Sequence, residues 1–564
     1  MVVEREYTQL TILLDDRKKQ LENFSKRFAK TWKNYFSLEG LLPGINPTKE
    51  QKQVVQSSEK QLIIRGSAGS GKSLMLVYRL IKMMEQANSP QRILYVTFNQ
   101  TLIQDTRKRL NQSQTYLELS EKHHVDIMTY HDLVRKILMK DCGYSNIKRI
   151  PMTQQSIEKH EADIVSRIHA VLAQVEKIPK YKHMEKLFKT HTAKFLQEEF
   201  FWMKANGLVT LNKYMEKERT GRGNSPSVRM RQRPTIFYLF ERYNEFMRRN
   251  YYIPQLDMED YALHLLNELS KNKRASFKYD HILVDEFQDL QPMQIKSLVR
   301  LTKGTITLVG DEKQRIYKRS PISYKELNLK VNSRTSQRLT RNFRSTKQIM
   351  DLASEIKFND VENVREDNQV FFREGPRPKI NYYTSNSRLA STIIRNIRRI
   401  HRDNPGKSIA IVHRYSDKEL NKEDNLKRRL DLEFDVIGVN KYGYRFDYNK
   451  RKKPIFFTSP YEIKGLEFDY VFIIHFDIFH YPLKARLDEL NKKYIGMDWE
   501  GPEYKKDRKQ IINDEKKIFY VACTRAKEGL FIYCGDKKER RISRFIKDFN
   551  TNDYESNFNK GQFR

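Results

Sequence analysis

Short apolar runs alternate with amphipathic stretches along much of the chain. The runs LIIR at 62–65 and ILYVTF at 93–98 are each followed by apolar residues at helical spacing, over 72–86 and 101–111. This alternation predicts a mostly parallel α/β sheet with helices on its faces. Residues 1–45 carry leucines and aromatics near helical spacing, which predicts an N-terminal helical extension.

The pattern changes between residues 140 and 272, where helical spacing comes with dense charge. Strand-like runs resume with HILVD at 281–285, and a second set begins at 408. We therefore predict two α/β cores, the first interrupted by a helical insertion. The predicted division is a first core at 46–139 and 273–340, the insertion at 140–272, and a second core at 341–414 and 459–548.

Two shorter segments complete this division. Between the two parts of the second core lie only 44 residues, 415–458. Segments this short seldom bury a core of their own without metals or disulfides, so we predict a short connection and no separate subdomain. The last residues, 549–564, are mostly polar and predict a polar tail.

The charge balance indicates a polyanionic partner. Lysine and arginine number 106 against 71 aspartate and glutamate, a net charge of +35. Nucleic acid is the main candidate, because Lys and Arg contacts to phosphates release counterions and supply sequence-independent affinity. A shift in overall lysine usage without such a partner stays open as the alternative.

Other classes of protein are disfavoured by composition. The three cysteines, Cys142, Cys523 and Cys534, lie far apart, which predicts neither a disulfide framework nor a zinc or iron–sulfur site. No apolar stretch is long enough to span a bilayer, and the first residues lack a secretory pattern. We expect a cytoplasmic protein with no membrane partner.

One loop carries a specific chemical pattern. The phosphate-binding sequence G-x-x-x-x-G-K-[ST] is matched by Gly66, Ser67, Ala68, Gly69, Ser70, Gly71, Lys72 and Ser73. Glycines let backbone N–H groups surround phosphates, and the following helix adds a favourable dipole. We expect ATP and Mg²⁺ here, with Lys72 at the β- and γ-phosphate oxygens and the Ser73 hydroxyl on the metal.

A pair of carboxylates supplies the expected partner of this loop. Asp285 and Glu286 end the apolar run HILV, at the sheet edge where ligands bind in such folds. We expect Asp285 to hold Mg²⁺ and Glu286 to orient and deprotonate the attacking water. A solvated acidic pair at a strand end is the alternative, which the upstream loop disfavours.

Further short motifs follow in order: TKEQ at 48–51, DEFQD at 285–289, GDEKQ at 310–314, RNFRS at 341–345, KGLEF at 464–468 and YVACTRA at 520–526. Together with the loop, they resemble the UvrD/Rep/PcrA-like superfamily 1 DNA helicases over most of residues 46–535. The resemblance implies two RecA-like P-loop NTPase cores with nucleotide bound between them.

The resemblance also implies roles for single residues at the nucleotide. Gln51 reads the adenine, Phe343 stacks on it, and Glu467 belongs to the nucleotide site. Gln314 senses the γ-phosphate, while Arg344 reaches that phosphate and Arg525 acts as the arginine finger. Fingers of this kind neutralise charge in the transition state and act only when the two cores close.

A second group is implied to bind the nucleic-acid strand. It comprises two segments, Thr97, Phe98 and Asn99 followed by Thr129, Tyr130 and His131, with Phe98 stacking on a base. Arg319 stands where relatives often carry a stacking aromatic; either its guanidinium plane stacks instead, or the path of the strand differs. The arginines of the 219–234 stretch predict a nucleic-acid-facing loop, with a solvated loop as the equal alternative.

Four features of the chain match or depart from the family pattern. Tyr461 stands where relatives place His. Asp257 and Asp260 resemble an acidic turn that precedes the metal-binding strand. The mobile subdomain that relatives insert within the second core is expected to be vestigial here, and no nuclease domain is expected after the last strand.

The sequence therefore predicts an ATP-dependent motor on nucleic acid, most simply a single-stranded-DNA-stimulated ATPase that moves 3′ to 5′ and acts as a DNA helicase. One alternative is an ATP-gated regulatory or sensor subunit of a repair or antiphage defence complex, working with a separate nuclease or other protein partner. Another is an RNA-directed motor, which net charge does not exclude.

Overall fold

The computed structural model describes residues 42, 47–97, 100–145, 147, 154–178, 192–219, 228–249, 256–271, 276–315, 323–359, 370–415, 426–438, 454–493 and 501–563. Several predictions lie outside these residues. They are the N-terminal extension apart from Leu42, the contacts Phe98, Asn99 and Arg319, and parts of the 415–458 connection.

The first core contains the strands β1 (Gln61–Gly66), β2 (Arg92–Thr97), β3 (His124–Thr129), β4 (Tyr279–Val284), β5 (Thr302–Gly310) and β6 (Ser336–Leu339). They form one parallel sheet in the order β3-β2-β4-β5-β1-β6. Because helices cover both faces, the central strands are apolar on both sides, as the sequence pattern predicts. The carboxyl ends of β1, β2 and β4 therefore meet at one edge of the sheet.

The helices before the insertion are α1 (Lys49–Gln56), α2 (Lys72–Gln86), α3 (Gln100–Asn111), α4 (Gln114–Ser120) and α5 (Tyr130–Lys140). Buried residues such as Leu76 on α2 pack on one face of the sheet, and Leu133 on α5 packs on the other. Thr48 begins α1 with a reciprocal capping box to Gln51, which fixes where this helix starts.

The insertion has its own apolar core, built by α6 (Gln154–Val175), α7 (Ala193–Ala205), α8 (Leu211–Glu216) and α9 (Arg233–Arg249). The chain then returns to the first core through α10 (Asp260–Lys271) and α11 (Pro292–Leu301). Tyr261 and Leu265 of α10 pack against the first sheet, so α10 belongs to the first core although the predicted insertion, 140–272, included it.

A buried ion cluster ties the insertion to α10. Lys204 Nζ of α7 lies 2.6 Å from Asp257 Oδ2 and 2.8 Å from Asp260 Oδ2. The Tyr243 hydroxyl donates to Asp257 Oδ1 at 3.0 Å. Burial opposes the charged form of Lys204, but the two carboxylates outweigh it and raise its pKa. The predicted acidic turn is therefore a structural joint between α7 and α10.

The second core follows through a two-stranded parallel sheet, β7 (Arg341–Asn342) with β8 (Val370–Phe371). Its main strands are β9 (Lys379–Tyr383), β10 (Ile409–Val412), β11 (Val436–Ile437), β12 (Ile455–Thr458), β13 (Phe468–Ile473), β14 (Ala526–Gly535) and β15 (Glu555–Ser556). They form a parallel sheet in the order β11-β12-β10-β13-β14-β9-β15.

The helices of this core are α12 (Lys347–Ser354), α13 (Asn386–Asp403), α14 (Leu426–Asp431), α15 (Lys484–Lys493) and α16 (Pro502–Cys523). Apolar clusters cover both faces of the sheet, with Ile393 of α13 on one and Phe519 of α16 on the other. Two α/β cores with parallel sheets and a helical insertion in the first are the architecture that the sequence predicts.

The two short segments both join the second core. Within 415–458, the described α14 buries Leu426 and Leu430 in that core, and β11 extends its sheet beside β12. The 549–564 segment corrects the prediction of a polar tail, because β15 pairs with β9 and Tyr554 is buried. Its scattered apolar residues are too few to be recognised from periodicity.

Among the described residues, no helix is both long and apolar enough to cross a membrane. The same part of the chain contains no group of three or more His, Cys, Asp or Glu side chains arranged to hold a metal.

Candidate active site

The loop from Gly66 to Ser73 connects β1 with α2 at the carboxyl edge of the first sheet. Gly69 and Gly71 have φ of +85° and +81°, a left-handed conformation that side chains disfavour. Space is also restricted, since a Cβ on Gly69 would come within 2.6 Å of Asn342 Oδ1. The glycines thus meet both a conformational and a packing requirement.

Lys72 lies buried inside this loop. Its ammonium group donates to the Gly66 and Ser67 carbonyl oxygens, each at 2.8 Å. Burial lowers the pKa of Lys72, although Asp311 and Glu286 nearby oppose this shift. The loop, with its inward-facing amine and the N-terminus of α2, forms a cradle suited to an anion.

The carboxylates follow β4 directly. Asp285 is hydrogen-bonded from Tyr95 Oη at 3.0 Å, and the Glu286 backbone N–H donates to Asp285 Oδ1 at 3.0 Å. Burial, together with the neighbouring Glu286, raises the pKa of Asp285 to about 6. Burial also opposes ionisation of Glu286, but Lys464 and Lys72 outweigh it and lower the Glu286 pKa.

These groups fit a hard divalent cation. The Ser73 hydroxyl bonds the Asp285 carboxylate, so a hydroxyl and a carboxylate oxygen face each other beside the loop. Oxygen ligands of this kind, few in number and beside a phosphate cradle, are the set that Mg²⁺ takes in nucleotide sites. Ser73 and Asp285 therefore stay the predicted metal ligands.

Glu286 has a left-handed backbone, with φ of 52°, which turns its side chain away from the strand direction. Its carboxylate accepts a hydrogen bond from Gln288 Nε2. The Gln288 side-chain oxygen accepts from the Asp311 backbone N–H at 3.1 Å, and Asp311 Oδ2 accepts from Gln314 Nε2 at 2.8 Å. One chain of hydrogen bonds thus links Glu286 with Gln314.

The second core reaches into this chain with two cations. Arg525 Nη2 donates to Gln314 Oε1 at 2.7 Å. Lys464 Nζ donates to Asp289 Oδ1 at 2.7 Å and to the Gln314 carbonyl oxygen at 2.5 Å. Both cations are buried, and burial lowers the pKa of Arg525 to about 10. The predicted residues of the two cores therefore meet in one buried network.

A second bridge between the cores runs through the segment 341–345. The Asn342 side chain donates to the Ala68 carbonyl oxygen at 2.7 Å, and the Phe343 backbone N–H donates to the Gly69 carbonyl oxygen at 3.0 Å. Arg344 forms an ion pair with Glu467 at 2.5 Å. Burial opposes ionisation of Glu467, but Arg344 and Arg109 outweigh it and lower its pKa.

The residues predicted to contact the adenine base lie next to the phosphate-binding loop. Gln51 is buried, with its Oε1 accepting from the Thr48 backbone N–H at 3.0 Å and its Nε2 donating to the Ser70 carbonyl oxygen at 3.2 Å. The Phe343 ring stacks on Phe372, with ring centres 4.7 Å apart and planes at 14°. Phe372 has no counterpart in the sequence prediction.

Comparison with known proteins identifies the family. The UvrD/REP helicase N-terminal domain matches residues 47–319, and the UvrD-like helicase C-terminal domain matches residues 448–536. Together these two matches cover well over half of the chain.

The chain belongs to the UvrD/Rep helicase family.

Three relatives illustrate how far the similarity extends. A probable DNA helicase II homolog of Mycoplasma capricolum is 26% identical over 72% of this chain and 54% of its own length. The ATP-dependent DNA helicase srs2 of Schizosaccharomyces pombe is 24% identical over 70% of this chain and 44% of its own. The ATP-dependent DNA helicase PcrA of Staphylococcus aureus is 23% identical over 70% and 51%. The chain spans about half the length of these relatives.

In this UvrD/Rep family member, three side chains that were predicted to bind the nucleic-acid strand are buried. Thr97, Thr129 and Tyr130 are each 1% exposed. Thr129 caps α5 through Asp132, and the Tyr130 hydroxyl pairs with Ser297 Oγ at 2.7 Å. The Thr129 and Tyr130 side chains therefore serve the core, which corrects the expectation that they touch a strand. The Thr97 hydroxyl is buried with no hydrogen-bond partner among the described residues.

His131 is the half-buried member of that predicted group. Its ring lies edge-on to Tyr130 and Tyr261, and its Nε2 is 3.4 Å from Gln294 Nε2. Tyr461, which replaces the usual His, packs against the second core and is hydrogen-bonded with Arg414.

Two arginines of the 219–234 stretch are structural. Arg233 is buried and donates through Nη1 to the carbonyl oxygens of Tyr214, Met215 and Lys217 at the end of α8. Arg219 pairs with Glu199 at 2.7 Å. For these two arginines, this corrects the prediction of a nucleic-acid-facing loop, whereas Arg229 and Arg231 are exposed.

Some residues of the network were inside recognised motifs but had no predicted role. Lys464, Asp289 and Asn342 make the contacts that join the cores. Their positions within KGLEF, DEFQD and RNFRS were the available signal, because each motif is contiguous with a predicted site residue.

Proposed function

We propose that the protein is an ATP-dependent nucleic-acid motor, a single-stranded-DNA-stimulated ATPase that moves 3′ to 5′ and acts as a DNA helicase. One observation carries the proposal: Arg525 and Lys464 of the second core bond directly to Gln314 and Asp289 of the first. A site completed by two cores converts a change at the phosphates into a movement between domains.

In this proposal the loop amides and Lys72 bind the phosphate oxygens, exchanging the Gly66 and Ser67 carbonyls for the anion. Ser73 and Asp285 would hold Mg²⁺, which neutralises phosphate charge when bound. The buried surroundings strengthen each of these electrostatic contacts, because little water screens them.

Glu286 orients the attacking water and accepts its proton. Its lowered pKa keeps the carboxylate ionised, and the bond from Gln288 fixes one of its oxygens. Arg525 and Arg344 stabilise the negative charge that develops on the transferred group. For this Arg344 must leave Glu467, with which it forms an ion pair in the structure.

Gln314 couples the chemistry to movement. Its amide bonds to Asp311 of its own core and to Arg525 of the other. A phosphate that attracts Arg525 or the Gln314 amide therefore changes the bond between the cores. Repeated opening and closing would move a single strand across both cores.

DNA as the track is supported by the relatives, each of which is named as a DNA helicase. The net charge of +35 supports a polyanionic track of either kind. The 3′ to 5′ direction is inferred from membership of the UvrD/Rep family.

The chemistry is tested with two variants. Lys72→Ala should abolish tight ATP binding, whereas Glu286→Gln should retain binding and lower kcat about 10²- to 10⁴-fold, because only Glu286 acts on the water. Glu118→Gln, an exposed carboxylate on α4, is the matched control and should keep wild-type turnover. Near wild-type hydrolysis by Glu286→Gln would contradict the assignment.

The track is tested by ATPase rates with single-stranded DNA, duplex DNA, single-stranded RNA and no polymer. Stimulation by single-stranded DNA, together with release of a strand annealed to a 3′-tailed partner, supports the motor. Stimulation by RNA alone would indicate an RNA-directed motor. ATP binding with no polymer stimulation and no strand release would favour the ATP-gated regulatory subunit.

A further inference from the structure

Helices α15 and α16 form a hairpin on the second core. The two helices enclose a small apolar cluster of their own, in which Leu490 and Ile511 are buried and Leu487 and Tyr504 pack beside them. The Tyr504 hydroxyl donates to Asn491 Oδ1 at 2.9 Å, which joins the start of α16 to the end of α15. The hairpin is therefore a folded element with its own internal packing.

The first turns of α16 carry a dense basic surface, here called the basic arm: Lys505, Lys506, Arg508 and Lys509. All four side chains are exposed, and no carboxylate of the described residues lies within ion-pair distance of them. The acid within this run, Asp507, is half-buried. Residues three and four apart on a helix are neighbours, so these like charges repel one another. Electrostatic repulsion that destabilises a helix locally is expected where the surface serves a function.

Another exposed basic helix of this core, α13, differs. Its Arg398 pairs with Glu433 at 2.7 Å, and its Arg402 lies 3.4 Å from Asp403. Part of its charge is thus compensated by neighbouring acids. The basic arm has no such compensation among the described residues, and α13 provides an internal comparison.

The middle of α16 is fixed to the second core. Glu515 is fully buried, and its Oε2 lies 2.6 Å from Arg414 while its Oε1 lies 2.9 Å from Arg486. Further along, Phe519 and Val521 lie within the apolar core. These contacts prevent the helix from moving independently of its sheet.

The far end of the same helix reaches the active site. Arg525 follows α16 by two residues and bonds to Gln314 of the first core. A helix of this length spans about 33 Å at 1.5 Å per residue. The basic arm and Arg525 are therefore the two ends of one rigid element.

The hairpin also lies close to the insertion. Lys194 at the start of α7 is 3.8 Å from Glu489 on α15. The hairpin that carries the basic arm therefore lies beside the start of α7 in the insertion. A strand that follows the boundary between the insertion and the second core would run along this hairpin.

We propose that the basic arm binds the phosphate backbone of the nucleic-acid track. This inference rests on the proposed function. It adds a nucleic-acid-binding surface that lies outside the recognised motifs. Four flexible cations in five positions suit a line of phosphates without reading bases, since lysine and arginine contacts to phosphate carry no sequence information. Because α16 joins the arm to Arg525, the arm moves with the core that carries the arginine finger.

The test compares two variants from which four charges are removed. The arm variant carries Lys505→Gln, Lys506→Gln, Arg508→Gln and Lys509→Gln, and glutamine preserves helix propensity. The control carries Arg388→Gln, Arg395→Gln, Arg399→Gln and Arg402→Gln on α13, all exposed in the same core. Binding of a fluorescent single-stranded DNA of fixed length is measured between 50 and 300 mM salt, about the range in which phosphate contacts are resolved. Thermal unfolding of each variant checks that it is folded.

If the arm binds phosphates, its variant loses roughly 10- to 100-fold in affinity near 0.1 M salt, and the slope of log affinity against log salt falls by up to about 3. The control variant should lose far less affinity, and its salt slope should change far less. Equal losses in the two variants would overturn the proposal in favour of a general effect of net charge. An arm variant with wild-type affinity and slope would overturn it and leave the proposed motor intact, whereas a wild-type protein that binds no nucleic acid would overturn both.

Discussion

Two buried lysines make similar bonds in different settings. In the insertion, Lys204 contacts Asp257 and Asp260 at 2.6 and 2.8 Å. In the cleft, Lys464 contacts Asp289 at 2.7 Å and the Gln314 carbonyl oxygen. Both lysines are almost fully buried. Lys204 joins the insertion to α10 within the first core, whereas Lys464 and its partners belong to different cores.

The difference shows that a buried ion pair takes its role from what it joins. Lys204 faces two carboxylates and the Tyr243 ring, so its charge is satisfied whenever the first core and its insertion are folded. Lys464 is satisfied only while the two cores are in contact. The first pair should therefore govern folding, and the second should govern turnover.

The largest expected effect is on folding. Lys204→Met leaves two carboxylates buried without their cation, and should cost about 3–5 kcal/mol in the free energy of unfolding. Urea unfolding, followed by hydrogen exchange in α7, measures this cost. Tyr243→Phe, which removes one hydrogen bond to the same cluster, is the control and should cost only about 1 kcal/mol. Equal costs in the two variants would contradict a dominant role for the charge.

A smaller effect is expected in the cleft, and on a different quantity. Lys464→Met should lower the DNA-stimulated kcat about 100-fold, equivalent to roughly 2.7 kcal/mol of transition-state stabilisation. Its free energy of unfolding should change far less than that of Lys204→Met, because each core keeps its own apolar packing. Steady-state ATPase assays and urea unfolding of the same variant give both numbers. A large loss of stability with unchanged kcat would reverse the comparison.

The smallest effect is expected for a third lysine, whose ion pair is exposed. It tests whether burial determines the size of the effect on stability and turnover. Lys194 also approaches a carboxylate, Glu489, but the two side chains are 67% and 65% exposed. Lys194→Gln should change the free energy of unfolding by less than about 0.5 kcal/mol and leave kcat within about twofold. The same two assays apply. An effect as large as that of either buried lysine would show that pairing, and not burial, sets the magnitude.

The sequence was most informative where chemistry demands contiguous residues. The loop from Gly66 to Ser73 and the Asp285-Glu286 pair were predicted because phosphate and metal binding need fixed spacings within one strand–loop–helix unit. The two parallel sheets were predicted because buried strands are apolar on both faces. The parallel order of β1, β4 and β5 then brings these segments to one edge.

The sequence was least informative where polar residues have two uses. Thr129 and Tyr130 match a strand-binding pattern, yet a helix cap and a buried hydroxyl pair account for them in the structure. Arg233 was counted with a basic loop, while its guanidinium satisfies the last carbonyls of α8. Residue type alone does not distinguish a structural role from a nucleic-acid-binding role here, because the hydrogen-bond partners are distant in sequence or are backbone atoms.

The contact of Asn342 with the phosphate loop has a thermodynamic consequence. The side chain comes from the second core, yet it bonds the Ala68 carbonyl oxygen and limits the space at Gly69. The shape of the loop is thus part of the docking equilibrium of the cores. By reciprocity, anything that favours docking strengthens nucleotide affinity by the same factor as nucleotide favours docking. A bound strand that spans both cores would then act as an allosteric effector of the nucleotide, with no need to touch it.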